Sequence, residues 1–509
     1  MFPIRAAFFF YFILLSPAWA KDYLLTIAGG YAPQGNQASL EANVLFYQSL
    51  VLKTHSDSPE HKIYFADGFD TRNDLQIVAP RPAPKSAAYE LLQSVFDLDR
   101  PRLEYRNHRV GGISGPISPT EIRDGFDVIK QNITDGDRLV IYVTSHGSEA
   151  KGKDKMDTTI ACWGRKELSM KSFAGWLDEL PESVSVVLVM AQCYCGGYVN
   201  TMFCEGNPEL GLSKGNRVGF FAQRHDLPAA GCRPDIENDE EYSSFFWGAC
   251  AGELRSGKEI ETADFNRDGK VSFSEAHAFA VIASPTVDIP LKTSDEFLRR
   301  YSQINQFLTL PLGTDPDGRL PDQIDGLAYL AGSLAEIAAS ASPDHRRCVL
   351  GLAQQLELST DSQLSVLFTM QKELDQEIRQ ARPPRGRGGL RGSRNSRRRD
   401  FRDELLAKWP ELKNPADWKE IPWLHANACD TFLKEVRELS NYEPFQQSLV
   451  ERTQSRERAT TAELKQVRIR RLLYTIESIV LAKNLPKIAS PEMKARYQSI
   501  RALEESSFK

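Results

Sequence analysis

From residue 22 to about residue 255, short apolar runs alternate with longer amphipathic ones. Residues 23–28, 62–66, 138–145, 183–191 and 217–222 are rich in β-branched or aromatic side chains and are bounded by Gly, Asp or Pro. That is the pattern of buried strands. The stretches 39–52, 120–131 and 170–180 instead repeat apolar residues at spacings of three and four, as helices with one buried face do. In the middle one, Thr120 stands at a capping position and Ile122, Phe126 and Ile129 form the stripe. Strand–helix alternation predicts an α/β fold, a mostly parallel sheet with helices on both faces. In such sheets the working residues sit in loops just past the C-terminal ends of strands.

Beyond residue 300 the period changes. Leu327, Leu330, Leu334 and Ile337 follow a helical repeat, as do Leu364, Leu367, Leu374 and Ile378, and later Leu472, Ile476, Ile479 and Val480. No strand pattern intervenes. The chain therefore divides into an α/β domain over 21–298 and an all-helical C-terminal region over 299–509. Inside the helical region, residues 382–399 hold eight Arg, four Gly and two Pro. Such a segment cannot bury a core and predicts a flexible basic loop, a docking point for an anionic partner.

Composition narrows the class. With 509 residues and a net charge of -5, the chain as a whole is no polyanion binder. The first 20 residues read as an export signal: Arg5, then an apolar run from Ala6 to Leu15, then Ala18-Trp19-Ala20 for a signal peptidase. The mature chain is expected to start near Lys21, to carry no transmembrane segment and to be periplasmic or secreted. Eight cysteines are too sparse for a disulfide scaffold, although export permits oxidation. Cys348 and Cys429 are one candidate pair. Cys162, Cys204, Cys232 and Cys250 allow two more bridges of open connectivity, leaving Cys193 and Cys195.

Two predicted strands end in reactive residues. One runs through Ser145 into His146-Gly147, the other through Met190 into Gln192-Cys193-Tyr194-Cys195-Gly196-Gly197. As neighbours in a parallel sheet they would deliver an imidazole and a thiol to one edge. A thiol is largely protonated at neutral pH, and a neighbouring His takes its proton during attack and returns it to a leaving amine. The backbone N–H groups of Gly147 and Cys193 are candidate oxyanion donors. Gly196 and Gly197 would let a substrate approach the backbone closely.

A second motif is independent of the first. Asp264-Phe265-Asn266-Arg267-Asp268-Gly269-Lys270-Val271-Ser272-Phe273-Ser274-Glu275 has the length and ligand spacing of an EF-hand calcium loop. Oxygen ligands fall on Asp264, Asn266, Asp268, Ser272 and Glu275, the Lys270 carbonyl completes the set, and Gly269 makes the turn. A single loop of this kind reads as a structural Ca2+ clip.

A strand ending in His-Gly, followed by a second strand ending in Cys-x-x-Gly, resembles the caspase-like clan of cysteine peptidases. The likeness is nearest to its legumain-type (asparaginyl endopeptidase) family, whose pattern Ala-Cys-x-Ser-Gly is matched by Ala191 to Gly196 with Cys195 in the Ser position. It covers residues 22 to 290 and implies a caspase-like sheet, peptide hydrolysis by Cys193 and His146, and no catalytic cofactor. It also implies that Asn36 lies near the catalytic His, and that Tyr242-Ser243-Ser244-Phe245-Phe246-Trp247 is a strand lining the substrate pocket through Ser243 and Ser244. The Arg-His pair that legumains place after the Asn is replaced here by Gln37-Ala38-Ser39, so the family's preference for asparagine does not carry over. The competing expectation is a catalytically inactive peptidase fold, stabilised by calcium and serving as a binding protein.

Overall fold

The computed structural model describes residues 21–55, 59–79, 86–98, 102–230, 241–302, 328, 330–381, 390–424 and 429–508. The expected signal segment 1–20, Cys232 and residues 382–389 of the Arg-rich segment lie outside them.

The centre is a six-stranded sheet built from β1 (Asp22–Gly29), β2 (Glu60–Phe65), β3 (Arg138–Ser145), β4 (Ser185–Met190), β5 (Arg217–Phe221) and β6 (Leu291–Lys292). Its order is β6-β5-β4-β3-β1-β2. Every neighbouring pair is parallel except β5 with β6. Every residue of β1, β3 and β5 is buried, which is why these strands read as continuous apolar runs rather than alternating ones.

Helix α1 (Ala38–Thr54) carries the chain outward from β1 to β2, and α2 (Pro119–Asn132) precedes its return across β1 to β3. Parallel crossovers are right-handed, so opposite directions of travel put these helices on opposite faces. Tyr47 of α1 and Trp247 of α4 (Tyr242–Ala251) pack on Tyr142 of β3, with ring centroids 4.9 and 5.5 Å away. On the other face Phe126 of α2 meets Trp176 of α3 (Met170–Leu177) at 6.2 Å. The direction in which the chain travels across the sheet reverses between the parallel strands β1 and β3, and open α/β sheets place a ligand crevice at the C-terminal edge of such a switch point.

After β5 come α4, α5 (Phe273–Ala283), β6 and α6 (Thr293–Tyr301), and then the helical region. Helices Leu334–Ala339, Pro343–Gln355 and Leu364–Ala381 pack with α7 (Tyr442–Ile488) into a second core that includes Ala278 and Val281 of α5. A third core gathers Phe401, Trp418, Phe432 and Phe445 around Ala88, Leu92 and Val95. The last helix, α8 (Pro491–Glu504), returns to the sheet: Ile500, Leu503 and Phe508 belong to the first core. Arg471 of α7 is fully buried and donates to the carbonyls of Val281, Ser284, Thr286 and Asp288 at 2.8–2.9 Å. It thereby closes the end of α5 and fixes the long helix to it.

One local expectation is corrected. Residues 390–399 are not loop: they begin the helix Leu390–Lys408. Arg is a good helix former, and Phe401 and Leu405 anchor the helix in the third core. Arg397 pairs with Glu451 and Arg398 with Asp97. Among the described residues no helix is long and apolar enough to cross a membrane.

Candidate active site

Strands β3 and β4 are hydrogen-bonded neighbours, with Val143 opposite Met190. His146 and Cys193 each lie three residues past that pair, so both emerge in one row at the C-terminal edge. The next residue shows how tightly the two exits pack. A Cβ on Gly147 would stand 2.1 Å from the Cys193 carbonyl oxygen and 2.9 Å from Cγ of Gln192. Only glycine lets the chains approach this closely.

His146 is held from behind. Its Nε2 lies 2.8 Å from the Gly35 carbonyl oxygen and 2.9 Å from Oε1 of Gln37. Both partners accept, so Nε2 carries the proton and Nδ1 keeps the lone pair that a general base needs. The Tyr31 ring stands edge-on, 5.4 Å from the imidazole. Burial pushes the His146 pKa below its ordinary value, and the Gly35 carbonyl partly offsets this. The imidazole is therefore neutral at neutral pH. Nothing in the sequence pattern singles out Gln37 or Tyr31; the loop that follows β1 brings them there.

Asn36 is a clasp rather than a substrate contact. It is fully buried, accepts from the Gly30 N–H at 3.0 Å and donates to the Asp74 carbonyl and carboxylate at 3.2 and 3.1 Å. This closes the loop 30–36 and aims the Gly35 carbonyl at His146.

Cys193 is disulfide-bonded in this state and only 2% exposed. Its sulfur also accepts from the Ala229 N–H at 3.2 Å. Cys162, Cys195, Cys204, Cys250, Cys348 and Cys429 are free thiols. That overturns the expected Cys348–Cys429 bridge: the two residues sit in the second and third cores respectively. The expectation that Cys193 stays unpaired while Cys162, Cys204 and Cys250 are bridged is overturned too. Cys195 is fully buried, bonded to the backbone of Gln223, and its thiol is pushed up to about 12 by burial. Such a thiol is an inert core group. Gly196 makes room for the protein's own chain rather than for substrate, since a Cβ there would lie 2.7 Å from the His225 nitrogen.

Residues 242–247 are not a strand. They open helix α4, an apolar run long enough for almost three turns, capped at its end by Gly252 in the left-handed region. Ser243 and Ser244 are 1% and 2% exposed and offer no surface to a peptide in this state. Ser243 accepts from the Tyr142 hydroxyl and donates to Glu241, both at 2.9 Å. Glu241 in turn accepts from Asn43, which also bonds Thr144. These residues brace the end of β3 from below.

The segment 264–275 is a tight turn held by its own side chains. Asp264 accepts from the N–H groups of Asp268 and Gly269, Asn266 accepts from Asp268, and Gly269 has φ +87°. Ser272 caps α5 and forms a capping box with Glu275. Asp268 and Asn266 are exposed, but Asn266 Oδ1 and both Asp268 carboxylate oxygens already accept bonds within the loop. Among the described residues, Asp264, Asp268 and Glu275 do not gather within 4.8 Å of one another. The residue types suit calcium, and an ion would have to replace these contacts. Both Glu275 carboxylate oxygens are engaged by N–H groups of residues 265, 266 and 272.

No family model matches the chain, and no curated protein does. Among solved structures, protein GSU0716 from Geobacter sulfurreducens superposes with a TM-score of 0.29 at 10% identity, covering 51% of this chain and 88% of that one. So shallow a superposition speaks to neither family nor activity.

Proposed function

We propose that the chain is an exported cysteine-type endopeptidase of the caspase-like kind, with Cys193 as nucleophile and His146 as base. The observation that carries this reading is the shared register of the two residues beyond β3 and β4, with Gly147 packed against the Cys193 backbone. In the reduced protein, neutral His146 takes the thiol proton through Nδ1, and Cys193 Sγ adds to a peptide carbonyl. The N–H groups of Gly147 and Cys193 hold the oxyanion, and the imidazolium returns its proton to the leaving amine. Calcium belongs to the reading as a structural ion held by Asp264, Asn266, Asp268, the Lys270 carbonyl, Ser272 and Glu275. When bound, it would tie the start of α5 to the loop before it.

The disulfide on Cys193 makes the oxidised form latent, because a sulfur already bonded to sulfur cannot attack a carbonyl. The same bond favours a second reading, an inactive peptidase fold that binds partners. One experiment separates them. The mature protein is offered a fluorogenic peptide library with and without dithiothreitol. Cleavage that appears with reductant, vanishes in Cys193→Ala and persists in Cys195→Ser supports the peptidase. A reduced protein with an accessible Cys193 thiol and no cleavage of any member leaves only the binding role. The anionic partner offered by the Arg-rich segment is a separate proposal, checked by heparin binding of Arg397→Ala/Arg398→Ala.

A further inference from the structure

Two loops meet beneath the clasp that holds His146. One, residues 66–74, joins β2 to the strand Leu75–Val78 and brings Asp67 near its start and Asp74 at its end; the other follows the strand Leu103–Arg106 and brings His108. One ligand atom from each side chain lies within 4.8 Å of the other two. Asp74 is 1% exposed. The imidazole Nε2 lies 3.0 Å from the Gly68 carbonyl, an acceptor, so it carries the proton and Nδ1 bears a lone pair. That Nδ1 and Oδ1 of Asp67 are both buried and without a hydrogen-bond partner. These two unpartnered acceptors thus belong to one cluster with Asp74, whose carboxyl is close enough to that of Asp67 to hydrogen-bond it.

The surroundings have the form of an outer shell around a cation. Asp74 is oriented by Asn36 Nδ2 at 3.1 Å and by the His108 N–H at 3.0 Å, and His108 by Gly68. A ligating imidazole characteristically donates its other N–H to a carbonyl in this way. One nitrogen and two carboxylates suit a divalent transition ion, whereas calcium takes oxygen donors throughout.

We propose that Asp67, Asp74 and His108 form a binding site for a divalent transition-metal ion. Through Asp74 and Asn36 the ion tightens the loop 30–37 and so fixes the acceptors of His146. The inference concerns a different site from the calcium loop and does not depend on peptidase activity.

The test uses Mn2+ as the probe, because it avoids thiols and its free aqueous ion is read directly by electron paramagnetic resonance. Full-length mature protein is stripped with chelator, placed in excess CaCl2 to fill the 264–275 loop, and titrated with MnCl2. The expected result is one Mn2+ per chain. Affinity should fall at least tenfold in Asp67→Asn, and likewise in His108→Phe, which keeps a ring packed on Phe65. Circular dichroism verifies that both variants are folded. Hydrogen exchange at Gly30 and Gln76, whose N–H groups both bond Asn36, should slow on Mn2+ addition in the wild type alone. The proposal is overturned if no Mn2+ binds, which would leave a proton shared by the carboxyls, or if a folded variant binds as tightly as the wild type.

Discussion

Gly147 touches Cys193: any side chain at 147 would begin 2.1 Å from the Cys193 carbonyl oxygen. That contact sets the spacing between the exits of β3 and β4, and with it the spacing of imidazole and thiol. Gly147→Ala must push one exit aside. The folded protein should lose roughly 1–3 kcal/mol of stability through overpacking. On the proposed peptidase reading, the reduced protein should lose about 100-fold in kcat/KM, as a misplacement of about 1 Å does. Gly152→Ala has nothing within 4 Å of its new methyl and serves as the neutral control. Equal activity in the two variants would remove the spacing argument.

The base is predicted to work at mildly acidic pH. Burial holds the His146 pKa below the ordinary value of about 6.5. A depressed pKa leaves the imidazole neutral as pH falls, so the acid limb of kcat/KM should lie below pH 6.5. Gln37→Leu removes one acceptor that would stabilise the imidazolium and should move the limb lower still. An acid limb above about 7 in the wild type would refute the assignment of that limb to His146.

His277 should make stability pH-dependent. Burial lowers its pKa to about 3, and its Nδ1 lies 2.7 Å from the Tyr242 hydroxyl. Below about pH 6.5 the unfolded chain takes up a proton here that the folded chain refuses, so stability is full above that value and is lost as pH falls toward 3. From pH 7 to pH 5 the loss from this group is about 2 kcal/mol. Urea unfolding of His277→Gln at the two pH values should show a drop smaller by that amount. A drop as large as in the wild type would assign the effect elsewhere, with His61, also lowered by burial to about 4, the next candidate.

Arg471 should be a stability residue of unusual weight. Its guanidinium serves carbonyls of four residues between 281 and 288 with almost no exposure of its own. Arg471→Met keeps much of the volume but leaves those acceptors unpaired and buried, at a cost of about 3 kcal/mol or more. The neighbouring, exposed Arg470→Met should cost under about 0.5 kcal/mol. Similar urea midpoints for the two variants would show that water takes over the carbonyls.

Much of this molecule is written locally. The strands around 23–28, 138–145 and 217–222 are legible because both faces of the sheet are covered, so each must be an apolar run. The placement of His146 and Cys193 just past strand ends is legible because each follows such a run directly, and the 264–275 pattern stands out because its spacing is a property of one contiguous segment. Local pattern has its limit in the segment 242–247: an apolar stretch suits a buried strand or a buried helix equally, and only its neighbours make it α4.

Other features required the tertiary structure, because they join residues distant in sequence. Gln37 reaches His146 across 109 positions. Asp67 and Asp74, on one loop, meet His108 only because a second loop converges on the first under Asn36. Cysteine pairing depends on which thiols share a core, so Cys348 and Cys429, isolated together in the sequence, end in different ones. The last turn of the chain belongs to the first core for the same reason. Phe508 packs on Tyr47, His55, Trp247 and Phe273. An apolar residue near a chain end states that it will be buried, but which surface it covers is decided by the path of α7 and α8, and so by packing rather than by period.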